Sequence, residues 1–226
     1  MAALQKKQSI NCKVLVLGKS GVGKSYILLQ YTAPPQEIVQ MPKLTTVGVD
    51  YKYGTEKIED TEVKMSIWDT AGQEKYRPII QTYFKNSKAA ILVFDLTDKQ
   101  SLQDVRYWLR EVKLQCGKDV AKILVGNKCD LPHEQPDQAL IQEYCEEFQM
   151  EYIESSALQK INIQEIFVKL AKKIYQQHKA SIPQNQLKQN SLPANEAQNQ
   201  NSTSSNKQIS LKNSKPKQKK ENDGCC

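Results

Sequence analysis

A glycine-rich stretch near the N-terminus has the residue types and the spacing that phosphate binding needs. Gly18-Lys-Ser-Gly-Val-Gly23-Lys24-Ser25 matches the phosphate-loop pattern, with an apolar run before it and an apolar helix pattern after it. We expect successive backbone N–H groups to converge on phosphate oxygens, helped by the positive end of the following helix. Lys24 would reach the β and γ phosphates, and the Ser25 hydroxyl would ligate Mg²⁺. The predicted phosphate-binding residues are Ser20, Gly21, Val22, Gly23, Lys24, Ser25, Thr46 and Gly72.

Two further stretches would complete a site for Mg²⁺ and the γ-phosphate. Asp69 ends an alternating strand pattern, where a carboxylate can hold Mg²⁺ through water, and Gln73 carries an amide that can orient an attacking water. Thr46 would give its hydroxyl to Mg²⁺ and its N–H to the γ-phosphate, with the adjacent Thr45 as an alternative. Loss of the γ-phosphate would release this loop, which would make it a switch. The predicted catalytic residues are Gln73 and Lys24, and the predicted Mg²⁺ ligands are Ser25, Thr46 and Asp69.

A third motif selects the base. Asp130, in Asn127-Lys-Cys-Asp130, has a carboxylate that can accept two hydrogen bonds from guanine, whereas adenine offers no such pair of donors. Lys128 can lay its apolar stem over the base, and Asn127 would tie this loop to the phosphate loop. In Ser155-Ser-Ala157, the backbone N–H of Ala157 would reach the guanine oxygen. The predicted guanine-binding residues are therefore Asn127, Lys128, Asp130, Ser156 and Ala157, which implies GTP as substrate and Mg²⁺ as cofactor.

Short apolar runs alternate along the chain with helical patterns. The runs at residues 14–17, 89–94 and 123–125 are typical of strands that are buried on both faces of a parallel sheet. Apolar residues at helical spacing lie between and after these runs. The helical sets are Leu102, Val105, Leu109 and Val112; Leu140, Ile141, Tyr144 and Phe148; and Ile163, Ile166, Phe167, Leu170 and Ile174. We therefore predict an α/β fold with a doubly wound, mostly parallel sheet, helices on both faces and a ligand site at the carboxyl ends of the strands.

The composition fits one cytosolic domain followed by a polar tail. The chain has 226 residues, of which 39% are hydrophobic, and no apolar run approaches the roughly 20 residues that a membrane-spanning helix needs. Residues 1–11 have no apolar signal region, so we expect the protein to stay on the cytosolic side.

The positive charge is concentrated at the C-terminal end. Residues 179–226 contribute +5 of the net charge of +7, and they are rich in Asn, Gln, Ser and Lys. We predict that this tail is disordered and meets an acidic membrane surface, and we expect no nucleic-acid partner. The predicted organisation is a short extension at 1–11, a GTP-binding domain at 12–178 and the hypervariable tail at 179–226.

The order of these motifs resembles the Ras superfamily of small GTPases over residues 12–177. Within it, the segments Val47–Tyr51, Ile67–Asp69 and Leu92–Thr97 are similar to those of Rab proteins. The resemblance implies the six-stranded phosphate-loop GTPase fold, and slow hydrolysis of GTP that an activating protein accelerates. It also implies an exchange factor, and effectors recruited to membranes in vesicle trafficking. The aromatic residues that match the effector surface of Rab proteins are Tyr51, Trp68 and Tyr83.

Three features depart from the Rab pattern. The stretch between Ser25 and Thr46 is three residues longer than usual, and Gln36 stands where an aromatic residue normally stacks on the guanine. Leu158 replaces the lysine that usually follows Ser-Ala, so the contribution of that lysine side chain is lost.

The chain ends in Cys225 and Cys226 behind a basic stretch. The Rab resemblance implies geranylgeranylation of both thiols, and two lipid chains are what stable anchoring takes. It also implies a prenylation escort and a partner of the GDP-dissociation-inhibitor type. We therefore expect a monomer on the cytoplasmic face of an intracellular membrane, with a cytosolic pool.

Two alternatives to a GTPase switch stay open at this point. One is a Rab-like module that binds nucleotide with little or no cycling and acts as a membrane-anchored scaffold, because its longer first loop is mispositioned. The other is a different phosphate-loop enzyme, such as a small-molecule kinase, against which the guanine-selective Asp130 argues.

Overall fold

One six-stranded sheet forms the centre of the described chain. The computed structural model describes residues 8–33, 46, 48–117 and 119–181. The strands are β1 (Gln8–Leu17), β2 (Val49–Ile58), β3 (Thr61–Thr70), β4 (Ala89–Asp95), β5 (Ala121–Asn127) and β6 (Glu151–Ser155). Their order in the sheet is β2-β3-β1-β4-β5-β6. Only β2 and β3 pair in the antiparallel sense within the described ranges, and the other neighbours are parallel.

Helices cover both faces of this sheet. Within the described ranges they are α1 (Lys24–Thr32), α2 (Arg77–Thr82), α3 (Lys99–Cys116), α4 (Gln138–Phe148) and α5 (Ile163–Ser181). A single 3₁₀ turn, Glu74–Tyr76, precedes α2. Helices α1 and α5 pack on one face, and α2, α3 and α4 pack on the other.

Two apolar cores lie on opposite sides of the sheet because side chains alternate along a strand. In β1, Val14 and Val16 belong to the core under α1 and α5, while Leu15 and Leu17 belong to the other core. Every residue of β4 and β5 is buried, which explains the apolar runs at 89–94 and 123–125, although β5 also buries Lys122.

The predicted α/β fold, a doubly wound and mostly parallel six-stranded sheet, is confirmed. The ends of the domain differ from the boundaries that we predict at 12 and 178. β1 begins at Gln8, because Gln8 to Asn11 pair with β3 through their backbone although their side chains are mostly polar. α5 continues to Ser181.

Several predicted features lie outside the described residues. They are Thr45 as the alternative metal ligand, Gln36 in the long first loop, the predicted disorder of the tail beyond Ser181, and the lipidated Cys225 and Cys226. Across the ranges that the structure describes, none of the helices has the length and apolar character needed to cross a membrane.

Candidate functional site

A cleft of about 460 Å³ lies at the carboxyl ends of β1, β3, β5 and β6. Loops that follow these four strands converge there, as expected for a parallel sheet. The lining residues that the sequence predicts are Ser20, Gly21, Gly23, Lys24, Ser25, Thr46, Gly72, Asn127, Lys128, Asp130 and Ala157. Tyr26, Leu131 and Leu158 complete the lining.

The phosphate loop is packed so closely against Asn127 and the loop after β3 that both contacts require glycine. Gly23 precedes α1 with φ 98°, and a Cβ there would lie 2.2 Å from Nδ2 of Asn127. A Cβ on Gly72 would lie 2.3 Å from the backbone nitrogen of Ser20. The loop after β3 therefore rests directly on the phosphate loop, close to where a terminal phosphate would sit.

Lys24 is held inside the phosphate loop. Its side chain is buried, and its Nζ donates to the carbonyl oxygens of Gly18 and Lys19, at 3.0 Å each. Burial lowers the pKa of Lys24 to about 8, and the carboxylate of Asp69 offsets part of that effect. An anion bound in the loop would favour the charged form, which suits Lys24 to phosphate.

Nucleotide affinity should fall as the pH rises above 8. Below the pKa of Lys24, which is about 8, the ammonium is already formed in the free protein and binding takes up no proton. Above that pH, bound phosphate raises the pKa and binding must take up a proton, so affinity should fall by up to about tenfold per pH unit. Titration with a fluorescent GDP analogue from pH 7 to 9 measures this slope. In Lys24→Arg the side chain stays protonated, so the same slope there would contradict the assignment.

Three oxygen-bearing side chains meet beside Lys24. Ser25 Oγ lies 2.6 Å from Oγ1 of Thr46, and Thr46 Oγ1 donates to Oδ2 of Asp69 at 3.3 Å. Asp69 is buried, and its Oδ1 has no hydrogen-bond partner among the described residues. Burial raises the pKa of Asp69, although hydrogen bonds from Ser25 and Thr46 oppose this. Two hydroxyls and an incompletely satisfied carboxylate are the hard oxygen donors that Mg²⁺ prefers, so the residues fit that metal.

Asp69→Asn should weaken Mg²⁺ retention by about 10- to 100-fold, because a carboxylate that acts through water orients the ligands and supplies negative charge. The measurement is the Mg²⁺ concentration that half-suppresses GDP release. Asp60→Asn, exposed in the β2–β3 turn, is the matched control and should leave that concentration unchanged. An unchanged Mg²⁺ midpoint in Asp69→Asn would refute the metal site.

Asn127 fastens three loops together at the base end of the cleft. Its Nδ2 donates to the carbonyl of Val22 at 2.8 Å, as the sequence predicts. Its Oδ1 accepts from the hydroxyl of Ser155 at 3.2 Å and from the N–H of Ala157 at 3.1 Å. The N–H that we expect to reach the guanine oxygen is thus already bonded to Asn127, and a bound base would have to share it.

Two of the residues that the motifs predict to contact the nucleotide are not part of the described cleft lining. Val22 and Ser156 are buried and do not line the cleft within the described structure. Ser156 accepts from the N–H of Gln159 through its hydroxyl, and its own N–H donates to Ile161. Its side chain therefore shapes the loop that presents Ala157.

Gln73 lines a neighbouring cavity of about 320 Å³. This cavity shares Ser20 and Gly72 with the main cleft. Lys19 also lines it and forms an ion pair of 2.9 Å with Asp98 at the start of α3. Gln73, the predicted catalytic residue, thus lies beside the main cleft but is not part of its lining in the described structure.

The three predicted effector residues form one aromatic cluster on the outside of β2 and β3. The ring centroids of Tyr51 and Trp68 are 5.4 Å apart, and those of Trp68 and Tyr83 are 5.1 Å apart. Nζ of Lys13 lies 4.7 Å from the centroid of Trp68, which adds a cation–π contact. Half of the surface of Tyr51 is exposed, so a partner can reach the cluster.

Sequence reasoning missed the charged residues that surround the motifs. Lys19 and Asp98 link the phosphate loop to α3, and Asp95 pairs with Lys128 at 2.5 Å. The only sequence signal for Asp95 is its place at the end of a continuously apolar strand. Asp69 has a similar place near the end of β3.

The fold and the cleft together define a nucleotide-binding domain of the phosphate-loop class. The sequence profile of the Ras family matches residues 13–176. The GTP-binding protein YPT1 of Saccharomyces cerevisiae is 37% identical over 163 residues, which are 72% of this chain and 78% of that protein. The Ras-related protein Rab-8B of Dictyostelium discoideum is 36% identical over 163 residues, 72% of this chain and 79% of its own.

The GTP-binding protein YPTM1 of Zea mays is 38% identical over 160 residues, with 70% of this chain and 76% of that protein covered. The chain therefore belongs to the Ras family of small GTPases, and within it to the Rab type. As such it is an enzyme that acts on GTP.

Proposed function

We propose that the protein is a switch that cycles between GTP and GDP and acts in vesicle trafficking. The observation that carries this proposal is the contact of the Thr46 hydroxyl with Ser25 and Asp69. A residue from the loop between α1 and β2 thereby lies on the predicted metal site. Loss of the γ-phosphate would free that loop. The surface that the loop presents to partners would then differ between the GTP-bound and GDP-bound protein.

Each part of the cleft has a role in this cycle. Lys24 and the backbone of the phosphate loop hold the phosphates and stabilise charge that develops during transfer. Ser25 and Thr46, with Asp69 acting through water, would hold Mg²⁺, which neutralises charge on the β and γ phosphates when it is bound. Gln73 orients the attacking water, and Asp130 with its loop selects guanine. The products are GDP and phosphate.

The bound nucleotide is the direct test of the site. The full-length protein, purified in Mg²⁺ and then denatured, should release about one GDP or GTP per chain, which chromatography identifies. An adenine nucleotide at that stoichiometry, or failure to bind added GDP, would overturn the guanine assignment.

Gln73→Leu should slow GTP hydrolysis by about 100-fold, because a misplaced nucleophile loses about that factor. The reason is that leucine keeps the volume but cannot accept from water or donate to phosphate. Single-turnover release of phosphate from bound GTP, alone and with an activating protein, measures the effect. Gln81→Leu, on the exposed side of α2, should hydrolyse GTP at the normal rate. Hydrolysis by Gln73→Leu at the normal rate in both conditions would remove Gln73 from the mechanism.

We further propose that effectors contact Tyr51, Trp68 and Tyr83, and that Cys225 and Cys226 carry the lipid that holds the protein on a membrane. The aromatic cluster supports the first part because exposed aromatic side chains are typical anchors of protein interfaces. The basic tail supports the second part, since lysines near an anionic leaflet add to lipid anchoring. An exchange factor, an activating protein, a prenylation escort and a GDP-dissociation-inhibitor type protein complete the expected partners of a monomer.

A nucleotide-binding scaffold with little cycling is the second candidate. The position of Gln73 in the side cavity favours it, because the amide does not line the main cleft. Stoichiometric guanine nucleotide with no hydrolysis, even with activating proteins for Rab GTPases, would support this candidate over the switch.

A further inference from the structure

A further cavity, of about 280 Å³, lies at the amino end of β5, whereas the nucleotide cleft lies at the carboxyl end of that strand. We call it the basal cavity. Its lining includes three lysines from three different elements, namely Lys113 of α3, Lys122 of β5 and Lys173 of α5. The described lining also holds two carboxylates, those of Asp119 and Glu147. None of these residues belongs to the motifs that build the nucleotide site.

Lys122 differs from an ordinary surface lysine because only 8% of its surface is exposed. Its Nζ donates to the carbonyl of Val120 at 2.8 Å. An ammonium group has three donors, so two of those of Lys122 are left for a ligand in the described structure. Burial lowers the pKa of Lys122, the nearby charge of Lys173 lowers it further, and the charge of Asp119 offsets part of this effect.

Lys173 brings a second ammonium group to the same cavity. Its Nζ donates to the carbonyl of Lys122 at 3.5 Å and also to the carbonyl of Gln149. This ammonium group is therefore held beside Lys122 by backbone oxygens, and burial lowers its pKa as well. Lys113 adds a third positive charge, since its Nζ lies 5.8 Å from the ring centroid of Phe148, another lining residue.

The carboxylates of the basal cavity leave these ammonium groups without a direct counter-charge. Asp119 and Glu147 are both exposed, so water screens their charges, and neither forms an ion pair with a lysine of the cavity in the described structure. Two positive charges that are withdrawn from water without a partner cost free energy, and an anion that binds between them offsets that cost. A phosphate monoester carries close to two negative charges and accepts several hydrogen bonds, which matches two ammonium groups.

The size and the place of the cavity also bear on its ligand. Pockets for small molecules begin at about 300 Å³, so a cavity of about 280 Å³ has room for a phosphorylated small molecule and is larger than a bare ion needs. Gln177 lines the cavity close to the end of α5 at Ser181. The basal cavity therefore lies at the end of the domain from which the chain continues toward the proposed lipid anchor.

We propose that the basal cavity binds a phosphate monoester through the ammonium groups of Lys122 and Lys173, with Lys113 at its rim. A phosphorylated lipid headgroup and a soluble phosphorylated molecule share the chemistry that these lysines recognise. The proposal goes beyond the GTP switch, because the cavity lies at the opposite end of β5 from the nucleotide and shares no lining residue with the nucleotide cleft in the described structure.

The test uses the full-length protein loaded with GDP and Mg²⁺, so that the phosphate loop does not compete for the probe. The probe is inositol trisphosphate, titrated by calorimetry at physiological ionic strength. Lys122→Met and Lys173→Met should each weaken its binding by about 10- to 100-fold, which is what one hydrogen bond from a charged group contributes. Lys172→Met is the matched control, since it removes the same charge from an exposed neighbouring position outside the cavity and should bind like the wild type.

Release of GDP from both variants at the wild-type rate would show that their fold is intact. Lys173 is half-buried, so Lys173→Met keeps the test valid even if Lys122→Met does not fold. Binding of inositol trisphosphate that neither substitution weakens, or no binding by the wild-type protein, would overturn the proposal.

Sedimentation with vesicles distinguishes the two sources of the phosphate. Phosphatidylcholine vesicles that contain a phosphatidylinositol phosphate are compared with vesicles that contain phosphatidylserine at equal surface charge, because the lysines of the tail respond to charge alone. A preference for the phosphoinositide that Lys122→Met or Lys173→Met removes would support a lipid headgroup. Binding of inositol trisphosphate through the same lysines without that preference would support a soluble ligand of the same site.

Discussion

Asp130→Asn should lower the affinity for GDP and GTP by about 10³- to 10⁵-fold, because a site built to pair with donors rejects a mismatched partner by about that factor. In the proposed site the carboxylate would accept from both the imino and the amino group of guanine, whereas an asparagine amide offers an acceptor on one side and a donor on the other. Xanthine carries an oxygen in place of the amino group and matches that amide. Xanthosine diphosphate should therefore bind the variant better than GDP does.

Competition of unlabelled GDP and xanthosine diphosphate against a fluorescent nucleotide measures both affinities. Asp119→Asn, an exposed carboxylate at the opposite end of β5, should leave the wild-type preference for guanine intact. If Asp130→Asn still prefers GDP by the wild-type margin, Asp130 does not read the base.

Asn127→Ala should destabilise the nucleotide-free protein by about 3 kcal/mol, since each buried group left without its hydrogen bond costs about 1–3 kcal/mol. The amide is 1% exposed and bonds to Val22, Ser155 and Ala157. Its removal leaves a carbonyl and an N–H unpaired in the interior. The phosphate loop and the two base loops would also lose their common anchor, so nucleotide affinity should fall by about 100-fold or more.

Chemical denaturation of Asn127→Ala measures the loss of stability, and nucleotide titration of the same variant measures the loss of affinity. Asn11→Ala, on an exposed position of β1, is the control and should change neither by a measurable amount. A variant that loses stability but binds GDP normally would show that Asn127 supports the fold without organising the site.

The sequence predicts the layered fold well because the central strands have no polar face. β4 and β5 are buried at every position, so they carry the apolar runs at 89–94 and 123–125, and the helices that cover them show a clear helical period. The start of β1 was less predictable, because Gln8 and Ser9 join the sheet through backbone hydrogen bonds while their side chains are exposed. Side-chain patterns carry no information on such pairing.

The sequence also predicts most of the residues that line the cleft, but not how they are connected. The motif at Asn127 indicates a link to the phosphate loop, and the structure has that link to Val22, 105 residues away in sequence. The motif does not indicate that the same amide accepts from Ala157, because that bond depends on how two loops pack after the strands are in place. Loop packing also determines the place of Gln73 in a side cavity and the ion pair of Lys128 with Asp95, so the motifs do not indicate them either.

The adjacency of Trp68 and Asp69 in β3 gives the protein an optical reporter of its own. Consecutive side chains of a strand point to opposite faces, so Asp69 lies at the predicted metal site while Trp68 packs between Tyr51 and Tyr83 on the outside. The chain has two tryptophans, and the other, Trp108, lies on the buried face of α3. Any movement of Asp69 when metal or phosphate binds would be passed through one peptide bond to Trp68. We therefore expect the intrinsic fluorescence of Trp68 to change with the bound nucleotide, at the surface proposed to contact effectors.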